Sequence, residues 1–206
     1  METQKIILLA AAGLAVIIIM LFLSVHFSAG KRKGRAAEQK TGRLLKKLCK
    51  KSGAKMLNNI YLPLYNGTCE IDHLVIGKFG IFVVETKGIS GSVSGEGKKL
   101  VHKIGTKTYK MYNPLMQNQT HIDNVTHHLK KGGYKKVPVS GVVVFTDKDV
   151  EFDKKLGIRF EQLEEKFNSL KPAGVNPDIL YDYFKKLNVT SPLKKLAHNF
   201  SKKDWD

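Results

Sequence analysis

The segment Cys69–Lys87 reads C-E-I-D-H-L-V-I-G-K-F-G-I-F-V-V-E-T-K and constrains the fold more than any other part of the chain. Ile71, Leu74, Val75 and Ile76 form one apolar run, Gly77 to Gly80 gives a turn signal, and Ile81 to Val84 form a second run. Two strands this apolar need cover on both faces. The second run ends in Glu85-Thr86-Lys87, and strand alternation turns Glu85 and Lys87 the same way. Charged groups at the end of a buried strand are costly unless they are paired or hold a metal. A divalent cation would account for them.

Ile6 to Val25 is apolar apart from Gly13 and Ser24 and is long enough to cross a bilayer as a helix. A cleaved signal peptide is the rival reading, but its apolar region usually runs only about 7 to 15 residues. The sequence after Val25, His26-Phe27-Ser28-Ala29, is also a poor cleavage site. Lys5 alone precedes the span, whereas Lys31, Arg32, Lys33 and Arg35 follow it, and the heavier cluster normally stays cytoplasmic. The expectation is a single-pass protein of the cell membrane. Residues 1–30 form the anchor with its short N-terminal tail, and residues 31–206 form one cytoplasmic domain whose core is 35–145.

The chain carries 35 Lys plus Arg against 18 Asp plus Glu, a formal net charge of +17. Glu2 and Lys5 cancel, so the excess falls on the soluble side. It favours polyanions, either nucleic acid or an anionic inner leaflet, with plain solubility as the bland alternative. Cys49 and Cys69 are too few for a disulfide framework and show no zinc-ligand spacing. They read as buried thiols.

Residues 31–34 read as a basic hinge and Arg35–Lys51 as an amphipathic helix with Thr41, Leu45 and Leu48 on one stripe. Glu38 falls on the same stripe, either as a site group or as part of a frayed first turn. Met56–Leu64 is a first strand, followed by the Asn66-Gly67 turn. Gly88–Gly97 reads as a flexible loop, and Lys98–Ile104 with Lys107–Tyr112 as a basic hairpin about Gly105. Asn113-Pro114 starts a helix to about Lys131, with an inner face of Leu115, Asn118, Ile122, Val125 and Leu129. Val139–Phe145 is a central strand, and helices are expected over Glu161–Leu170, Pro177–Leu187 and Pro192–Phe200. This order implies an α/β fold, a mixed central β-sheet flanked by helices, behind one N-terminal transmembrane helix.

E-I-D-H-L-V-I, then G-I-F-V-V-E-T-K-G, then N-P-L-M-Q-N-Q resembles the nuclease-related domain (NERD) family, which is similar to the PD-(D/E)XK endonuclease superfamily. The resemblance runs from about Arg35 to Phe145. It implies a restriction-endonuclease-like fold, Asp72 and Glu85 as metal-binding acids, Lys87 as the catalytic lysine, Glu38 as an early glutamate and Gln117 as a helix glutamine. Ala37 stands where the family often has glycine, and Gly88 where it often has asparagine.

Two carboxylates suit Mg²⁺, with Mn²⁺ as an alternative, and the remaining positions would be left to water. Lys87 could then orient water or stabilise charge on phosphorus oxygens, and Glu38 could act through water or as a base. Lys98, Lys99, Lys103, Lys107 and Lys110 could contact the phosphates of DNA or RNA without reading sequence.

Other candidates read as ordinary structure. His73 points to the other strand face and reads as a buried, hydrogen-bonded histidine; His121, His127 and His128 read as solvated helix positions. Ser90, Ser92 and Ser94 lack a nucleophile elbow, and the glycine loop lacks P-loop spacing. The expected function is a membrane-anchored, Mg²⁺-dependent nuclease. The alternative is a non-catalytic module that tethers nucleic acid or protein to the membrane.

Overall fold

The computed structural model describes residues 13–14, 30–64 and 67–191. The expected anchor, Gly13 and Leu14 excepted, and the helix expected over Pro192–Phe200 lie outside them. Among the described residues no helix is long and apolar enough to cross a membrane.

Helix α1 covers residues 30–52, β1 Lys55–Leu64, β2 Gly67–Gly77 and β3 Gly80–Lys87. Then come β4 (Ser92–Ser94), β5 (Lys99–Ile104), β6 (Lys107–Tyr112), α2 (Pro114–Lys131) and β7 (Val139–Phe145). The short strands β8 (Glu151–Phe152) and β9 (Ile158–Arg159) precede α3 (Leu163–Asn168) and α4 (Pro177–Leu187). The main sheet has the order β1-β2-β3-β7-β9, antiparallel through β3 and parallel from β3 to β7 to β9. It is the expected mixed sheet, with β7 inside it. Ile81, Val83, Leu74 and Ile76 face Val125 and Leu129 of α2 and Leu180 and Phe184 of α4. On the other face Phe82, Val84 and Val75 pack against Leu45 and Leu48 of α1 and Leu163 and Phe167 of α3.

Several expectations need correction. Residues 31–34 are helical rather than a hinge, because lysine and arginine are good helix formers and Gly34 alone does not break a turn. Gly88–Gly97 is not one loop. It contains β4, which joins β5, β6 and β8 in a second four-stranded sheet ordered β6-β5-β4-β8. Strands of two or three residues have too few positions to show a period of two. The helix expected over Glu161–Leu170 is a 3₁₀ turn, Phe160–Gln162, followed by α3. Leu115 is exposed rather than on the inner face of α2.

The β1–β2 pair changes face partway along. Cys69 and Ile71 belong to the same core cluster as Leu74 and Ile76, although odd and even positions of a regular strand face opposite ways. On β1, Ile60 and Leu62 lie in that cluster and Leu57 packs against it. The register is the same on both sides, Asn58 opposite His73 and Ile60 opposite Ile71, so no residue is inserted. The intervening pair would be Asn59 and Asp72. There the pairing lapses, and Asn59 takes a φ of 49°, a conformation asparagine tolerates better than most residues.

Two glycines set how closely the helices approach the site strands. A Cβ at Gly141 of β7 would lie 2.8 Å from Asn118 Nδ2 and from Ile122 Cδ1, so α2 rests directly on the backbone there. A Cβ at Gly88, just past β3, would lie 2.5 Å from the Cβ of Ala37, so α1 crosses hard against the end of that strand. Gly141→Val should therefore lower the urea midpoint with little change in slope, at a cost of about 1–3 kcal/mol from overpacking.

Candidate active site

Glu85 occupies the last turn of the pleat in β3, opposite Val143 of the parallel strand β7, and is only 3% exposed. Alternation turns it toward α2. Its Oε1 lies 2.8 Å from Lys87 Nζ, and its Oε2 lies 3.6 Å from His121 Nε2. Lys87 Nζ also donates to Gln117 Oε1 at 2.8 Å. An ion pair this buried is costly to break from one side, because the remaining charge has no solvent to return to.

The N-P-x-x-Q element explains why Gln117 reaches that lysine. Asn113 caps α2 by accepting from the Leu115 N–H at 3.0 Å, and Pro114 takes a first helical position where no N–H is needed. The Asn113 amide also donates to the Gly97 carbonyl at 2.8 Å, fastening the helix start to the second sheet. Gln117 then lies one turn in, its N–H bonded to the Asn113 carbonyl at 3.0 Å.

Asp72 lies where β2 parts from β3. Regular pairing ends at His73 opposite Val84, and beyond it Asp72 Oδ2 accepts from the Thr86 N–H at 2.8 Å. The carboxylate thus takes over a ladder hydrogen bond at the point of the face change. Burial first, and then the charge of Glu85, push the Asp72 carboxyl well above the usual carboxylate range; Lys87 and the Thr86 N–H pull the other way. Glu38 of α1 adds a smaller like-charge push. Its Oε2 accepts from Asn59 Nδ2 at 3.3 Å.

The five residues Glu38, Asp72, Glu85, Lys87 and Gln117 thus form one linked neighbourhood between α1, the splayed strands and α2. The sequence reading missed Asn59. Its signal was an Asn-Asn pair inside a strand, where asparagine is depleted.

Among the described residues no three His, Cys, Asp or Glu side chains converge tightly enough to hold a metal alone. The donor chemistry still fits a hard cation. Asp72 and Glu85 are oxygen donors whose mutual repulsion disfavours a second charge, and a divalent cation between like charges would reverse that cost. Two carboxylates with the other positions left to water is the arrangement Mg²⁺ tolerates.

Of the histidines, His73 matches its reading: it is 2% exposed and its Nδ1 donates to Asn58 Oδ1 at 2.8 Å. Burial lowers its pKa to about 4, so it is neutral at pH 7. His121 and His128 correct theirs, being buried rather than solvated; His127 is exposed. His121 Nδ1 lies 3.6 Å from Cys69 Sγ, and His128 Nε2 donates to the Pro63 carbonyl at 2.9 Å. A polar row beside an apolar stripe reads as solvated only if the helix buries a narrow face. Here α2 lies across β1, β2, β3 and β7, so the buried face widens to take in the row.

All five candidate lysines are exposed on or beside the β5–β6 hairpin. Lys99 and Lys103 share one face with Lys110, which lies opposite Val101, and Leu100 of the other face is buried. Lys107 lies opposite Ile104 and so projects to the face of Leu100, while Lys98 precedes the strand. Three of the five therefore form one outward basic patch.

The family model of the nuclease-related domain matches residues 33–146, which contain every charged group of the site. An uncharacterized protein of Bacillus anthracis is 39% identical over 94 residues, 45% of this chain and 44% of that protein. The match therefore spans less than half of the relative's length. No solved structure matches the chain. With more than half of its length matched, the chain belongs to the nuclease-related domain family.

Proposed function

We propose that the protein is a membrane-anchored, Mg²⁺-dependent nuclease that hydrolyses phosphodiester bonds of DNA or RNA on the cytoplasmic side of the membrane, with Mn²⁺ as an alternative metal. The observation that carries the reading is Glu85, a buried carboxylate paired with Lys87 beside an Asp72 that burial, and then the charge of Glu85, keep from ionising readily. Two carboxylates drawn toward one lysine leave a negative charge that a bound cation would balance.

Asp72 and Glu85 would hold the ion, which when bound neutralises phosphate charge and lowers the pKa of a coordinated water. Lys87 is placed to stabilise charge developing on the attacked phosphorus oxygens, and Gln117 fixes the lysine's direction. Glu38, reached across the splayed strands and oriented by Asn59, is placed to accept a proton from water. Lys98, Lys99, Lys103, Lys107 and Lys110 supply sequence-independent contacts to the nucleic-acid backbone. The span Ile6–Val25 supplies the anchor.

One observation favours the second reading, a tether that binds without cleaving: Lys87 and His121 already face the two oxygens of Glu85, as in a closed structural network. Cleavage of labelled single- and double-stranded DNA and RNA by the full chain, titrated with Mg²⁺ or Mn²⁺, separates the two. Lys87→Gln should lower kcat about 10²–10³-fold while leaving most of the affinity. Cleavage that needs no metal would remove the metal-dependent mechanism, and cleavage that survives Lys87→Gln in folded protein would remove the role given to the lysine; binding without cleavage under either metal would leave the tether.

A pH prediction follows from Asp72. An acid whose folded pKa is raised binds more protons folded than unfolded, so it lowers stability as pH rises through the window above about 3.9, its ordinary unfolded value. In EDTA at pH 7, Asp72→Asn should therefore melt higher than the parent, and with Mg²⁺ restored only the parent should cleave. A lower Tm would show that the carboxylate is structurally required. Added protease should digest residues 31–206 only after intact cells are permeabilised; digestion in intact cells would place the domain outside.

A further inference from the structure

A cleft of about 900 Å³ lies beside the candidate site, and Asp72, Glu85 and Lys87 are not among the residues that line it. It runs between α1 and β1, the edge strand of the main sheet, and meets the candidate site through Glu38 and the Asn59 that bonds it. Its helical wall carries Lys31, Arg35, Arg43 and Lys46, at the three- and four-residue steps that bring side chains onto one face. The opposite face of α1, with Ala37, Thr41, Leu45 and Leu48, is buried in the core. From Lys31 to Lys46 the stripe is about 22 Å long at helical rise, the length of about six phosphates at the spacing of one strand of a duplex. Two cations lie on each side of Glu38.

The floor adds a second observation. His73 lines the cleft, and its Nε2 is buried with no hydrogen-bond partner, while Nδ1 donates to Asn58. With the Nδ1 proton engaged by the Asn58 oxygen, Nε2 is left as an unused acceptor. A phosphodiester has no proton to offer it. A base amino group or a ribose hydroxyl does, and a nucleic-acid strand carries these together with a regular row of phosphates that matches the length of the stripe.

We propose that the cleft between α1 and β1 is a track for a nucleic-acid strand, held by its phosphates against Lys31, Arg35, Arg43 and Lys46 and delivered past Glu38 to the site. The inference rests on the nuclease reading and names a binding surface that the hairpin lysines do not include. Arginine is suited to the task because its planar fork meets phosphate oxygens in pairs.

The test uses the full chain and the double variant Arg43→Gln/Lys46→Gln. Both positions are exposed and glutamine is a good helix former, so folding is retained. Affinity for a short labelled single strand and its duplex is measured across a salt series, with Lys103→Gln/Lys110→Gln in parallel and anionic phosphatidylserine vesicles as a second probe. Losing two phosphate contacts should make the slope of log affinity against log salt shallower by about 1.4 for the single strand or about 1.8 for the duplex. Affinity at low salt should fall tenfold or more. An unchanged slope on nucleic acid, with binding and cleavage intact in the parent, would overturn the track and leave the nuclease reading standing. A loss on vesicles alone would reassign the stripe to the membrane surface. A parent chain that neither binds nor cleaves nucleic acid would overturn both.

Discussion

A carboxylate with almost no solvent sits on an interior strand, and much of the surrounding structure is organised by that fact. Glu85 is neighboured by Val143 on one side and by the parting of β2 on the other, so no water shell balances its charge. Lys87 supplies the balancing charge from the same strand face two residues on, and Gln117 holds Lys87 from α2. Gln117 is in place because Asn113 caps the helix and fastens its start to the second sheet. The helix can come close enough because position 141 has no side chain. Each step is local chemistry. Together they carry the demand of one buried charge from a strand to a helix and on to a second sheet.

The face change in β1 and β2 provides the other half of the neighbourhood. A regular antiparallel pair would keep Asp72 within the ladder, its backbone paired on both sides. With Asn59 in a left-handed conformation the ladder lapses for one step, and the Asp72 side chain is free to take the Thr86 N–H. Backbone strain of this kind persists only where neighbours fix it. The Asn59 amide, reaching Glu38, links the distortion to α1.

Most of the main sheet and the ends of α2 and α4 were legible in the sequence because they rest on strong local signals. The apolar runs at 71–76, 81–84 and 139–145 became three neighbouring strands, and Asn113-Pro114 and Asn176-Pro177 started their helices. The acid, acid and lysine of the site were legible for the same reason, as charges where a buried strand should have none. The burial of His121 and His128 was not, since it depends on how many strands α2 lies across, a fact of tertiary packing. Nor were β4, β8 and β9, strands of two or three residues that are too short to show a period of two. The cleft along α1 escaped notice because its cations read as the solvated side of an amphipathic helix, and only the position of β1 gives that side an opposing wall.

The contact of Ala37 with Gly88 has a mechanical consequence. At 2.5 Å between the two Cβ positions there is room for one methyl group, not two, where the helix crosses the strand end. This chain places it on the helix. Alanine in a helix interior is more favourable than glycine by about 1 kcal/mol, so the turn that carries Glu38 is stiffened by the same methyl that fills the crossing. Residue 88, immediately after Lys87, gives up its own side chain to make room for that methyl. The acid from the helix is thereby set at a spacing of one methyl group from the strand end that carries the lysine.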